Sequence, residues 1–334
     1  MGVAFRDILT EFRDTVGWEA LAGVAAVDAH NALYQFLSII RQPDGTPLMD
    51  QEGRTTSHLS GILFRTANFL EKGIRPVWVF DGTPPDFKQE TIEVRRAIRD
   101  RASERWQDAL ERGDIAEAYK QARSSSRIDE NVIGTSRELL SLLGIPCVQA
   151  PSEGEAQAAR MVEKGDAGYV VSQDYDTLLF GAPVLVRNLA VSGKRKVRGR
   201  TISVYPERIR LSDVLKGLAL TRSDLVRIAL LVGTDFNTGI KGVGAKTALR
   251  MVQRGEFEQT MRERLPDTEW EAIMEFFLAP PATDSYSLNW NAPDREGIIR
   301  MLCDRFDFSQ ERIQKALDSM GAKAGQKTLD SWFS

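Results

Sequence analysis

Three short apolar runs in this chain each lead into aspartate, and that repetition restricts both fold and chemistry. Val24-Ala25-Ala26-Val27 ends on Asp28, Val77-Trp78-Val79-Phe80 ends on Asp81, and Tyr169-Val170-Val171-Ser172 is followed by Gln173, Asp174 and Asp176. The runs are rich in β-branched residues and alternate with helical patterns, so they read as strands of a mostly parallel sheet covered by helices on both faces. Val184-Leu185-Val186 reads as a fourth strand. In such a sheet functional groups collect at the carboxyl ends of the strands, which puts these acids on one edge.

Each acid also has a local explanation. Asp28 suits the N-cap of a helix over 29–39, and Asp81-Gly82 suits a turn. Ser152-Glu153-Gly154-Glu155 matches a capping box in which Glu155 folds back on the helix start. Asp174 and Asp176 suit caps of a helix over 177–180, and Asp235 suits a turn. Capping alone does not explain why apolar strands repeatedly end in acids. Crowded carboxylates raise one another's pKa unless a cation holds them ionised. Oxygen donors suit hard Mg²⁺, with Mn²⁺ as the alternative. Two such ions about 4 Å apart would stabilise the attacking and leaving oxygens of a phosphodiester displacement.

Composition narrows the rivals. His30 and His58 are the only histidines and Cys147 and Cys303 the only cysteines, which argues against a histidine general base, a zinc site or a disulfide framework. Charges at Arg6 and Asp7 and the lack of a long apolar run argue against a signal peptide or membrane span, so an intracellular protein without membrane contact is expected. The net charge of −3 is no bar to a nucleic-acid partner, because two bound Mg²⁺ would reverse its sign. Basic residues also cluster at Arg95, Arg96, Arg99, Arg101 and Arg105, and again at Lys194, Arg195, Lys196, Arg198 and Arg200.

The segment 87–127 is charged, helical in propensity and almost without an apolar stripe, which predicts a solvated helical arch or a mobile region rather than core. Lys88 and Arg95 lie seven positions apart and share one side of a helix, where they could assist phosphate chemistry; from the residues alone, a solvated charged helix is the stronger account. From about residue 213 the pattern becomes helical. Gly239-Ile240-Lys241-Gly242-Val243-Gly244-Ala245-Lys246 sits between two helical stretches, as in a helix–hairpin–helix that holds a DNA backbone through Lys241, Gly242, Gly244 and Lys246. An ordinary glycine-rich connection is the alternative. The expected division is 1–99 nuclease region, 100–127 helical arch, 128–259 internal nuclease region with the helix–hairpin–helix, 260–325 helical region and 326–334 exposed tail.

Taken together, Val27-Asp28-Ala29, Tyr34-Gln35-Phe36-Leu37, Thr55-Thr56-Ser57-His58-Leu59, Val79-Phe80-Asp81-Gly82, Ala150-Pro151-Ser152-Glu153-Gly154-Glu155-Ala156, Gln173-Asp174-Tyr175-Asp176 and Gly233-Thr234-Asp235 resemble the flap endonuclease family of structure-specific 5′ nucleases, nearly end to end. The resemblance implies a two-Mg²⁺ enzyme that cuts 5′ flaps where single-stranded DNA meets duplex, with 5′-exonuclease activity as a second mode. It assigns Asp28, Asp81, Glu153 and Glu155 to one metal group and Asp174, Asp176 and Asp235 to the other. It makes Lys88 and Arg95 gateway cations, Tyr34 a residue that stacks on a base, and Arg41 a basic residue by the DNA. It further implies an N-terminus at Gly2 beside the active site, and a monovalent cation at the helix–hairpin–helix, where Gly239 departs from the family's usual hydroxyl residue. Gln326, Leu329, Trp332 and Phe333 resemble a sliding-clamp-binding motif. A monomer acting on branched DNA, cytoplasmic and associated with the nucleoid of a prokaryote, is the resulting expectation.

Overall fold

In the computed structural model, which describes residues 2–191, 193–197 and 200–321, the strands are β1 (Asp14–Thr15), β2 (Gly23–Asp28), β3 (Ile74–Phe80), β4 (Cys147–Gln149), β5 (Tyr169–Val171), β6 (Val184–Arg187), β7 (Gly193–Val197), β8 (Arg200–Val204) and β9 (Glu207–Arg210). Seven of them make one sheet in the order β1-β9-β6-β5-β2-β3-β4. The β6-β5, β5-β2, β2-β3 and β3-β4 pairings are parallel, while β9 and β1 close one edge antiparallel. β7 and β8 form a separate antiparallel hairpin.

All four expected strands are present. Sequence pattern missed β1, β4, β9 and the hairpin for physical reasons. β1 has only two residues, β4 (Cys-Val-Gln) has one β-branched side chain, and β9 (Glu-Arg-Ile-Arg) carries a single apolar side chain on the antiparallel edge. The central strands alternate as the pleat requires. Ala26, Val77, Val79, Val170 and Leu185 enter one core, while Ala25, Val27, Trp78, Phe80, Val171 and Val186 enter the core on the opposite face. Fully burying a large apolar side chain contributes about 1.5–3 kcal/mol, so a register slip in these strands would be costly.

The helices that matter here are α1 (Ala29–Ile39), α2 (Ser57–Glu71), α3 (Gln89–Glu111), α4 (Ile115–Ser124), α5 (Glu130–Leu142), α6 (Gly154–Lys164), α7 (Arg222–Val232), α8 (Ala245–Gln253) and α9 (Trp270–Leu278). α3 and α4 occupy the charged segment and fold as a helical hairpin that turns at Gly113, φ +70°. Ala102, Ala109, Ala118 and Ala122 are buried in it. A seam of alanines lets the two helices approach closely without a large apolar stripe, so the segment carries little hydrophobic contrast in the sequence.

Arg41, just past α1, donates to Leu37 O (2.7 Å), Gly45 O (2.6 Å) and Ser126 Oγ (2.8 Å). It therefore ties the exit of the helical hairpin to the loop after α1. The tail residues Gln326, Leu329, Trp332 and Phe333 lie outside the described residues.

His58 is buried at the start of α2, with Nε2 2.8 Å from Thr135 Oγ1 on α5. Thr135 Oγ1 donates to Asn131 O (2.7 Å), so the ring supplies Nε2–H and stays neutral. Burial pushes its pKa down to about 4. Because the unfolded chain takes up this proton near pH 6.5, the stability tied to His58 is complete above pH 6.5 and is lost as pH falls toward 4, by up to about 3 kcal/mol. His58→Gln should flatten that part of the pH dependence in urea unfolding. Parallel wild-type and variant curves between pH 6.5 and 4 would remove His58 as the cause.

Candidate metal centre

β2 is the middle of the parallel strands, with β5 on one side and β3 on the other, so the crevice above its carboxyl end gathers groups from three strands. Asp28 ends β2 and also caps α1: its Oδ1 accepts from Asn31 N (3.0 Å), while Ser172 Oγ lies 3.0 Å from its Oδ2. Capping and site membership coincide. Asp81 follows β3, and its Oδ1 accepts from Gly154 N at 2.7 Å. A Cβ on Gly154 would sit 2.6 Å from that oxygen, so glycine is required for the approach.

The capping box expected at 152–155 does not form. Glu153 holds the N-cap position of α6 without a side-chain capping bond, and Ser152 Oγ has no partner among the described residues. Glu155 Oε1 instead accepts from Thr177 Oγ1 (3.0 Å) and lies 3.1 Å from Ser172 Oγ. Asp174 and Asp176 are not caps either. Asp174 takes Gly2 N on Oδ1 and Asn31 Nδ2 on Oδ2, both at 3.0 Å, and Asp176 Oδ1 takes Val3 N at 2.6 Å. The N-terminal backbone thus runs directly against this acid pair. A side chain on Gly2 would collide, since its Cβ would lie 2.7 Å from Asp176 Oδ1.

Basic residues close the group. Lys88 Nζ lies 2.5 Å from Glu153 Oε2, and Arg95 pairs with Asp235 Oδ1. The seven-residue spacing turns both toward the acids, so these two are not members of a merely solvated face. Burial works against the Lys88 ammonium, but Glu153 overrides it and holds the pKa above its ordinary value.

The carboxylates pay an electrostatic penalty. Burial, followed by the charge of Asp81, pushes Asp28 up to about 8. Burial, followed by Asp235 and Asp174, pushes Asp176 up to about 7. Burial and the charges of Asp28, Asp176, Asp174 and Asp235 raise Glu155 well above its ordinary value. An oxygen-rich cluster that resists ionisation until a cation arrives fits a hard divalent ion. Among the described residues no group of three or more His, Cys, Asp or Glu forms a ready-made cage.

Sequence reading did not single out His30, Asn31, Ser172, Thr177 or Val3 as part of this network. Asn31, three residues past Asp28, carried the one usable signal, the spacing of a cap partner. Elsewhere, α7 and α8 pack together around the glycine-rich connection. Gly239 has φ +66° and its Cβ would lie 2.3 Å from Gly233 N, so close backbone packing excludes any side chain. At Gly244 a Cβ would meet nothing of the chain, which leaves its backbone open from outside; Lys241 and Lys246 are exposed beside it.

Comparison with known proteins agrees over the whole chain. The XPG N-terminal domain matches residues 1–102 and the XPG I-region matches residues 144–235. Flap endonuclease 1 of Methanoculleus marisnigri is 66% identical over 333 residues, covering 100% of both chains. That of Pyrococcus furiosus is 52% identical, covering 100% of this chain and 99% of its own. The solved flap endonuclease-1 of Methanococcus jannaschii superposes with a TM-score of 0.77 at 41% identity, covering 96% of this chain and 98% of that one. The catalytic core of Rad2 in complex with DNA substrate gives a TM-score of 0.70 at 25% identity, covering 95% and 99%.

The Lys88–Glu153 pair is nearly buried, with side chains 14% and 9% exposed. Removing one partner strands a charge, whereas removing both does not. Lys88→Met should lower the metal-free unfolding free energy by about 3 kcal/mol, and Lys88→Met with Glu153→Gln should restore most of it. Additive losses in that double-mutant cycle would show the pair to be uncoupled.

Proposed function

The chain belongs to the flap endonuclease family, and on that premise we propose that its strand-end acids hold two Mg²⁺ ions, with Mn²⁺ as a substitute, for cleavage of a phosphodiester at the base of a 5′ flap. It is a divalent-metal-dependent, structure-specific DNA endonuclease of replication and repair. The observation that supports the two-ion reading is the strand-end cluster itself: Asp28 ends β2, Asp81 follows β3, and Asp174 and Asp176 follow β5, on either side of β2. We assign Asp28, Asp81, Glu153 and Glu155 to one ion and Asp174, Asp176 and Asp235 to the other. When bound, the ions would lower the pKa of the attacking water and steady the attacking and leaving oxygens.

The protein's own groups do the rest. Asp28, Glu155 and Asp176 supply negative charge that their burial makes costly, so they favour cation binding. Lys88 and Arg95 exchange their carboxylate partners for the phosphate and offset its charge as the bond breaks. Tyr34, 38% exposed on α1, offers a ring to a base near the cut. Gly242, Gly244, Lys241 and Lys246 grip the duplex backbone without reading sequence, with a monovalent cation at the same turn. Arg41 acts on DNA indirectly, by bracing the loop after α1. A 5′-exonuclease mode, a monomeric state and recruitment to a sliding clamp through Gln326, Leu329, Trp332 and Phe333 belong to the same reading.

The test is cleavage of a labelled double-flap substrate in Mg²⁺. Wild type should cut near the junction and fall silent in EDTA, and Asp176→Ala should lose at least about 10²-fold in rate while still retaining the flap in a binding assay. Full cleavage by Asp176→Ala would sink the assignment.

A further inference from the structure

α1 begins where β2 ends, so its first turn stands above the middle strand and between the two groups of acids. Two neighbouring side chains of that turn face opposite ways. Asn31 Nδ2 donates to Asp174 Oδ2 (3.0 Å), and Asn31 Oδ1 accepts from Gln173 N (3.1 Å), both at the end of β5. Asp81 N donates to His30 Nδ1 (3.3 Å), which also lies 3.2 Å from Asp81 Oδ2, at the end of β3. The His30 ring also packs edge-on against Phe80 at 6.3 Å, which limits its rotation.

Asp81 is therefore held twice, by Gly154 N on Oδ1 and by His30 Nδ1, which accepts its backbone N–H. Asp174 is reached through both carboxylate oxygens, from Gly2 N and Asn31. Metal-binding carboxylates gain affinity when outer groups fix their orientation, and loss of such a partner costs roughly 10- to 100-fold. His30 Nδ1 is such a partner through the backbone: it accepts the Asp81 N–H, with the ring proton on Nε2.

We propose that His30 and Asn31 are positioning residues that hold Asp81 and Asp174, and so set the separation of the two acid groups from one rigid helical turn. His30 does no proton transfer in this role. The proposal rests on the metal-site reading above. It assigns a use to a histidine that a search for general bases discards.

Mn²⁺ binding to the DNA-free full chain, followed by the electron paramagnetic resonance signal of the free ion, tests it without cleavage. His30→Leu removes the accepting nitrogen and keeps bulk, while His30→Gln keeps an acceptor. Wild type should bind Mn²⁺, His30→Leu should weaken one class of site by about 10-fold or more, His30→Gln should recover most of that loss, and Asn31→Leu should weaken binding similarly. Unchanged melting temperatures would separate this from unfolding. Wild-type Mn²⁺ affinity in His30→Leu, alongside lost affinity in Asp176→Ala, would overturn the proposal and leave the site standing. Wild-type affinity in Asp176→Ala would instead overturn the site.

Discussion

Like charges buried together are the constraint on which the remainder of this structure depends. Asp28, Glu155 and Asp176 are withdrawn from water within reach of one another's fields, a placement that opposes folding unless something positive or hydrogen-bonding answers it. The surrounding architecture supplies those answers. Backbone N–H groups of Gly2, Val3, Asn31 and Gly154 point at carboxylates, Ser172 and Thr177 bring hydroxyls, and Lys88 and Arg95 bring charge from the helical hairpin. Parallel strands with both faces covered give the rigidity that holds the edge together.

Those same contacts explain why distant parts of the chain meet here. The first residues lie against Asp174 and Asp176, and α3 and the residue before it are joined to the acids at Asp235 and Glu153. Ion binding and phosphate binding are then linked through electrostatics. A carboxylate that gives up a lysine or arginine needs a replacement cation, and the released basic group needs an anion. Substrate and ions favour each other on those terms.

Much of the fold was legible because apolar runs of three or four residues with β-branched side chains leave few alternatives, and each of those runs became a strand of the sheet. β1 escaped because it has two residues, and β4 because Cys147-Val148-Gln149 carries a single β-branched side chain. The α3–α4 hairpin was read as unpacked because alanine seams carry little hydrophobic contrast. The acids were legible as a set, through their recurrence at strand ends. Their individual roles were not: Ser152 and Glu155 satisfy the spacing of a capping box, yet Glu155 turns into the cluster and Ser152 caps nothing. The sequence speaks to His30 only as a base or a zinc ligand, whereas its place beside Asp81 depends on β3 lying next to β2, which spacing along one chain does not reveal.

The most direct measurement is the melting temperature of the DNA-free chain at fixed pH and ionic strength, in EDTA and in Mg²⁺ about 100-fold above its dissociation constant. If the buried acids are a cation site, Mg²⁺ raises the wild-type melting temperature by about 3 °C or more, and Asp176→Asn melts above wild type in EDTA but gains less from Mg²⁺. Identical melting of wild type in EDTA and Mg²⁺, with Asp176→Asn no more stable than wild type in EDTA, would contradict the account.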